Sequence, residues 1–89
     1  MAASMHSISG WFDEGVTLGH KWMFVVVDKF DYEDYPVYAK TDKQFWATKE
    51  DLAKTPMTGI METYNLEENK AEQMALHRCH RQPEEVTGG

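Results

Sequence analysis

The run Trp22–Asp28, WMFVVVD, constrains the fold of this chain more than any other segment. Aromatic and β-branched residues dominate it, and this composition predicts a β-strand. Both of its alternating sets of side chains are apolar, which is typical of a strand that is covered on both faces. We therefore expect Trp22–Asp28 to be the central strand of an antiparallel sheet.

The expected neighbours of this strand come next in the chain. Pro36–Lys40 is predicted as a second strand, because proline is tolerated at the first residue of a strand. The seven residues between the two strands would form a hairpin loop, which holds the sequence FDYEDYP, Phe30–Pro36, except for its final proline. Gln44–Thr48 is a candidate third strand, although the preceding turn contains no glycine.

Helices are expected on both sides of these strands. Ser7 or Ser9 could cap a first helix whose apolar residues fall at helical spacing, and a short helix is predicted over Lys49–Lys54. The spacing of Met57, Ile60, Met61 and Tyr64 predicts a further helix, and a last one is expected over Leu66–Arg81. The fold class is therefore α+β with the order α-β-β-(β)-α-α-α, a short antiparallel sheet with helices packed on it.

Length and composition limit the kind of protein that this chain can be. Its 89 residues predict one domain, which we assign to residues 1–83, with residues 84–89 as a flexible tail. The N-terminus lacks the features of a signal peptide, and no apolar run approaches the ~20 residues that span a bilayer. Cys79 is the only cysteine, which fits a reducing compartment or indifference to redox state. Together these features predict a cytoplasmic protein that makes no membrane contact.

The formal net charge of −6 bears on the choice of partner. Binding to a phosphate backbone requires clustered Lys and Arg, so direct nucleic-acid binding is not expected. A negative field would steer in a basic protein partner. The charge is also explained by solubility alone, and both interpretations stay open.

The second face of the central strand must also be hidden from water. Tyr38 and Trp46 are expected to lie on it. Either the short helices cover this face, or another chain does, since a large exposed apolar patch is unusual on a monomer. If the chain associates with itself, we expect the homodimer to use Tyr38 and Trp46.

The segment FDYEDYP admits three interpretations. It is a polar hairpin loop, a metal site built from Asp28, Asp31, Glu33 and Asp34, or a recognition surface. A calcium loop is disfavoured because the central glycine is missing and Ala39 stands at the twelfth position from Asp28. The recognition surface would place tyrosines among carboxylates, which suits a basic protein partner. Its residues would be Asp31, Tyr32, Glu33, Asp34 and Tyr35.

Two histidines near the C-terminus are weak metal candidates. His77 and His80 stand at i, i+3 in the predicted last helix, but no third ligand is in register. Cations in the last turn of a helix also complement its dipole, which is the simpler interpretation. The sequence contains no catalytic motif that we recognise, so no cofactor is expected and an enzyme is the weaker alternative.

Three segments of the chain resemble a family of small uncharacterised proteins of bacteria and their phages. They are WFDxGV, VVVDxFDYEDYPVY and, towards the end, HRxH. The matching positions are Trp11, Asp28, Asp31, Asp34, Tyr35, Pro36, His77 and His80. The resemblance implies no catalytic role, but it favours a small protein that binds and blocks a host protein.

The sequence therefore favours a small acidic, non-catalytic protein-binding module. One alternative is a phage-type inhibitor that mimics nucleic acid and blocks a host nucleic-acid-binding or defence protein. The other is a small metalloprotein or enzyme that uses the Asp28–Asp34 carboxylates or the two histidines.

Overall fold

The computed structural model describes residues 5–76 and 78–83. Three helices and three strands follow one another in these residues. They are α1 (Met5–Thr17), β1 (Trp22–Asp28), β2 (Glu33–Ala39), α2 (Asp42–Lys54), β3 (Thr58–Asn65) and α3 (Lys70–Met74). The predicted α+β class is confirmed. The predicted tail, residues 84–89, lies outside the described residues.

The strands form one antiparallel sheet in the order β2-β1-β3, so the WMFVVVD strand is central as predicted. Trp22 stands opposite Ala39 on β2 and opposite Asn65 on β3. The first five residues of β1 are buried. This follows from its sequence, because an all-apolar strand is stable only with both faces covered.

Two apolar clusters cover the two faces of the sheet. On one face, Met23 and Val25 pack with Ile8 and Phe12 of α1. On the other face, Trp22, Phe24 and Val26 pack with Phe45 of α2. The helices of the chain itself thus hide both faces of the central strand.

This arrangement corrects one premise of the predicted homodimer. Tyr38 packs in the α1 cluster and Trp46 packs in the α2 cluster, so the two residues lie on opposite faces. The Tyr38 hydroxyl donates a hydrogen bond to the Trp11 carbonyl oxygen at 2.8 Å, and its ring stacks on His20 with centroids 4.8 Å apart. Tyr38 and Trp46 therefore do not form one shared surface for a second copy.

The segment predicted as a third strand, Gln44–Thr48, belongs instead to α2, which also contains the predicted Lys49–Lys54 helix. Thr41 caps this helix, because its hydroxyl accepts a hydrogen bond from Gln44 N at 3.0 Å. The Gln44 side chain accepts one from Lys40 N at 2.6 Å. A threonine followed three residues later by glutamine is a helix-start signal, and it outweighs the strand-like composition of this segment.

The predicted helix from Met57 to Tyr64 is wrong, because Thr58–Asn65 forms β3. The helical spacing arises from a β-bulge. Glu62 stands opposite Val25 and Ile60 opposite Val26, so Met61 is an extra residue in β3. An extra residue reverses the alternation of faces and turns a period of two into an apparent period of three to four.

The predicted last helix over Leu66–Arg81 is also wrong in extent, since α3 covers only Lys70–Met74. Asn69 caps α3 by accepting a hydrogen bond from Glu72 N at 2.8 Å. After α3 the chain returns to the sheet, where Thr63 N donates to Cys79 O at 2.8 Å and Arg81 N donates to Thr63 O at 3.0 Å. Pairing with the outer edge of β3 replaces helical hydrogen bonds in this segment.

Candidate functional site

The β1–β2 hairpin loop owes its shape to two of its carboxylates. Asp28 Oδ1 accepts a hydrogen bond from Phe30 N at 2.9 Å, and Asp31 Oδ1 accepts one from Glu33 N at 3.2 Å. Aspartate side chains commonly bond to the backbone two residues further on in turns. The hydrogen bonds of the turn are therefore sufficient to explain why Asp28 and Asp31 are aspartates.

Tyr32 and Phe30 in this loop are less easily explained by the turn. Tyr32 has a φ of 59° and its N–H donates to Asp28 O at 2.7 Å. This left-handed conformation favours glycine or asparagine, whereas it costs other residues about 1–2 kcal/mol. Tyr32 is 66% exposed and Phe30 is 81% exposed. A plain hairpin needs neither a tyrosine in this conformation nor an exposed phenylalanine.

The predicted recognition residues do not all point the same way. Glu33, Asp34 and Tyr35 belong to β2, and successive side chains of a strand point to opposite faces. Tyr35 stands opposite Val26, on the face that α2 covers, and Asp34 stands opposite Val27. Asp34 is half-buried, whereas Glu33 is exposed. The structure thus brings Asp31, Tyr32 and Glu33 together at the end of the hairpin and sends Asp34 towards the α1 face.

The sequence of the loop is rich in carboxylates. Residues 28–34 contain four carboxylates and one lysine, a formal balance of −3. The four ion pairs found among residues 5–76 and 78–83 involve neither Asp31 nor Glu33. The loop therefore presents negative charge beside exposed aromatic side chains.

The outer edge of β2 is a poor template for another strand. The backbone groups of successive residues in a central strand point alternately to one neighbouring strand and to the other. Leu66 N donates to Lys21 O at 2.8 Å, so the carbonyl of Lys21 and the backbone groups of every second residue after it, including Val25, point to β3. By that alternation, the backbone of Pro36, opposite Val25, faces away from β1. Proline offers no N–H there, which is a common way to protect a sheet edge.

The metal candidates do not come together in the part of the chain that is described. No group of three or more His, Cys, Asp or Glu side chains there is placed to hold a metal ion. His77 lies outside the described residues. His80 pairs with Thr63 in a short parallel bridge rather than standing on a helix, so the helical spacing assumed for the two histidines does not apply.

A buried polar cluster ties the C-terminal segment to β3. Gln73 is 1% exposed, and its amide bonds to both backbone groups of Asn65 at 2.8 Å. The Tyr64 hydroxyl donates to the Glu62 carboxylate at 2.7 Å, and burial is the main cause that raises the pKa of Tyr64. Burial likewise raises the pKa of the Cys79 thiol, which disfavours the reactive thiolate. These groups hold the fold together.

A second polar cluster lies at the start of β1, where Trp22 stands opposite Asn65. Lys21 Nζ contacts Asp42 Oδ1 at 2.8 Å, and Trp22 Nε1 donates to the same oxygen at 3.0 Å. The hydrogen bond from Lys21, followed by that from Trp22, lowers the pKa of Asp42. This carboxylate joins α2 to the start of β1 and is explained by the fold.

Sequence reasoning missed one residue at the hairpin end. Met57 also has a left-handed φ, 62°, and is 53% exposed. Its carbonyl oxygen accepts a hydrogen bond from Lys29 N at 2.7 Å, so it lies beside the hairpin loop. The helical interpretation of Met57–Tyr64 separates it from the loop, because only the β1–β3 pairing places it there.

Comparison of the chain with protein-family models, curated proteins and solved structures found no match. None of the helices in the described ranges has the length and apolar character that crossing a membrane requires.

Proposed function

We propose that this protein is a small acidic binding module without catalytic activity, and that its hairpin loop contacts a basic protein partner. The observation that carries the proposal is Tyr32, a large side chain that is 66% exposed at a left-handed position. Backbone conformations of this cost often occur at ligand-contact sites. The exposed carboxylates of Asp31 and Glu33 flank it in sequence.

Each residue has a distinct role in this proposal. Tyr32 supplies apolar area with a polar tip, and such side chains commonly anchor interfaces. Glu33 supplies charge that speeds association with a cationic surface. Asp31 holds the turn through Glu33 N and also adds charge. Asp34 and Tyr35 contribute at the margins, because they point to opposite faces of β2.

The experiment starts with a pull-down from lysate of the source organism, followed by mass spectrometry and expression of the captured protein. Tyr32→Asn keeps a residue that tolerates the left-handed conformation but removes the ring. Glu33→Gln removes only the charge. We expect Tyr32→Asn to speed dissociation, and Glu33→Gln to slow association and reduce its dependence on salt.

Two matched controls test whether the effect is local. Asp51→Asn removes an exposed carboxylate from α2, and Leu18→Ser removes an exposed apolar side chain from the α1–β1 connection. Both should bind as the unmodified protein does. The proposal is refuted if the captured protein binds both loop variants unchanged while circular dichroism shows that they are folded.

A further inference from the structure

We propose that the contact surface extends from the hairpin loop to Met57, and that a cationic amphipathic segment of the partner binds across it. This inference rests on the proposed function. Phe30, Tyr32 and Met57 supply the apolar part, and Asp31 and Glu33 supply the negative charge. These five residues are called the hairpin-end surface.

The backbone brings the two parts of this surface together. Tyr32 N donates to Asp28 O, and Lys29 N donates to Met57 O, both at 2.7 Å. The second bond continues the β1–β3 pairing one residue beyond Asp28 and Thr58. Tyr32 and Met57 are thus bonded to consecutive residues of β1 and its loop, although α2 separates them in sequence.

Backbone conformation singles out the same two residues. Tyr32 and Met57 are the non-glycine residues with positive φ in the described part of the chain. Glycine would adopt either conformation at lower cost. The fold alone therefore favours a smaller residue at Met57, where half of the side chain is exposed. Large exposed side chains at two neighbouring strained positions point to a contact surface.

The charge of the surface selects the chemistry of its occupant. Apolar side chains beside carboxylates complement a segment that carries apolar residues together with Lys or Arg. Nucleic acids and anionic membranes would be repelled. A second copy in a two-fold arrangement would place the same carboxylates near one another, which is unfavourable. An added strand is disfavoured by Pro36 on the outer edge of β2.

Three synthetic helical peptides of equal length serve as probes. The first combines a leucine face with a lysine face, the second has serine in place of leucine, and the third has glutamate in place of lysine. Each is titrated into ¹⁵N-labelled protein. We expect the leucine–lysine peptide to shift the amide signals of the hairpin-end surface, with affinity falling as salt is added. The serine–lysine peptide should bind more weakly, and the leucine–glutamate peptide should not bind.

Met57→Gly is the decisive variant. It should weaken binding of the leucine–lysine peptide by about fivefold or more, the effect of losing an interface anchor, while raising the melting temperature. Met57→Asn removes the same side chain and also tolerates the left-handed conformation, so it replaces Met57→Gly if that variant does not fold. Leu18→Ser is the control and should leave peptide binding unchanged.

The outcomes separate this inference from the proposed function. If folded Met57 variants bind the leucine–lysine peptide normally while Tyr32→Asn does not, the surface excludes Met57 and only this inference fails. If the captured partner is insensitive to Tyr32→Asn and Glu33→Gln, the proposed function fails as well. Equal binding of the leucine–glutamate peptide overturns the choice of a cationic occupant. Sedimentation of a dimer that Met57→Asn dissociates would assign the surface to a second copy.

Discussion

Two glycines of α1 allow the packing of this helix against the sheet to be tested quantitatively. A Cβ added at Gly15 would lie 2.7 Å from both Leu66 Cδ1 and Tyr38 Cε1, whereas a Cβ added at Gly10 would have nothing within 4 Å. Both residues lie inside the same helix. The pair Gly10→Ala and Gly15→Ala therefore compares the same chemical change with and without a steric conflict.

The expected magnitudes follow from two opposing effects. Alanine in place of glycine within a helix stabilises by about 0.5–1 kcal/mol, and this is the whole effect expected for Gly10→Ala. Overpacking costs about 1–3 kcal/mol, so Gly15→Ala should be neutral to destabilising by about 2 kcal/mol. The cost is real because Tyr38 is held by its bond to Trp11 O and cannot move freely.

Urea unfolding followed by tryptophan fluorescence measures both variants. Gly10→Ala should be more stable than Gly15→Ala by about 1–3 kcal/mol, and its melting temperature should be higher by several degrees. If both variants stabilise the protein equally, α1 does not pack on Tyr38 and Leu66 as described. The assignment of the Met23 face of the sheet to α1 would then be wrong.

Three further outcomes are expected. Gln73→Ala should lower the free energy of unfolding by about 2–5 kcal/mol, because it leaves both backbone groups of the half-buried Asn65 without their partner; urea unfolding checks this. Lys21→Met should raise the pKa of Asp42 measured by carboxyl NMR. Since folding lowers that pKa, the stabilisation from Asp42 is present above its unfolded pKa and is lost as pH falls through the folded value; the variant should lose less stability on acidification. Cys79, 0% exposed, should react with a thiol reagent only at the rate of local or global opening, and immediate reaction in native buffer would contradict its placement.

The central part of the fold was predictable because its signals are local and mutually consistent. An apolar run with both alternating sets apolar identified β1. The next strand was also found, but it begins at Glu33 and not at Pro36 as predicted. The second half of the chain was mispredicted for a physical reason. The bulge at Met61 shifts the alternation of faces, so one apolar pattern satisfies both a helix and a bulged strand.

Long-range pairing decided between those two interpretations. The backbone groups of β1 that point away from β2 are hydrogen-bonded only when Thr58–Asn65 pairs with them. On the far side of β3, the backbone of Thr63 is then hydrogen-bonded by Cys79 and Arg81. These pairings join distant parts of the chain, and local propensity carries no information about them. They also shorten the last helix, because residues that bond to the sheet cannot bond within a helix.

Only the contiguous part of the hairpin-end surface was predictable from the sequence. Asp31, Tyr32 and Glu33 are contiguous, so their unusual combination is visible in the sequence. Met57 joins them only through the β1–β3 register, and its left-handed conformation is one that methionine itself does not favour. A residue whose type disagrees with its backbone conformation cannot be recognised from sequence, since propensity predicts the opposite. In the structure the same disagreement is informative, because local rules are most often broken where a protein serves a function other than folding.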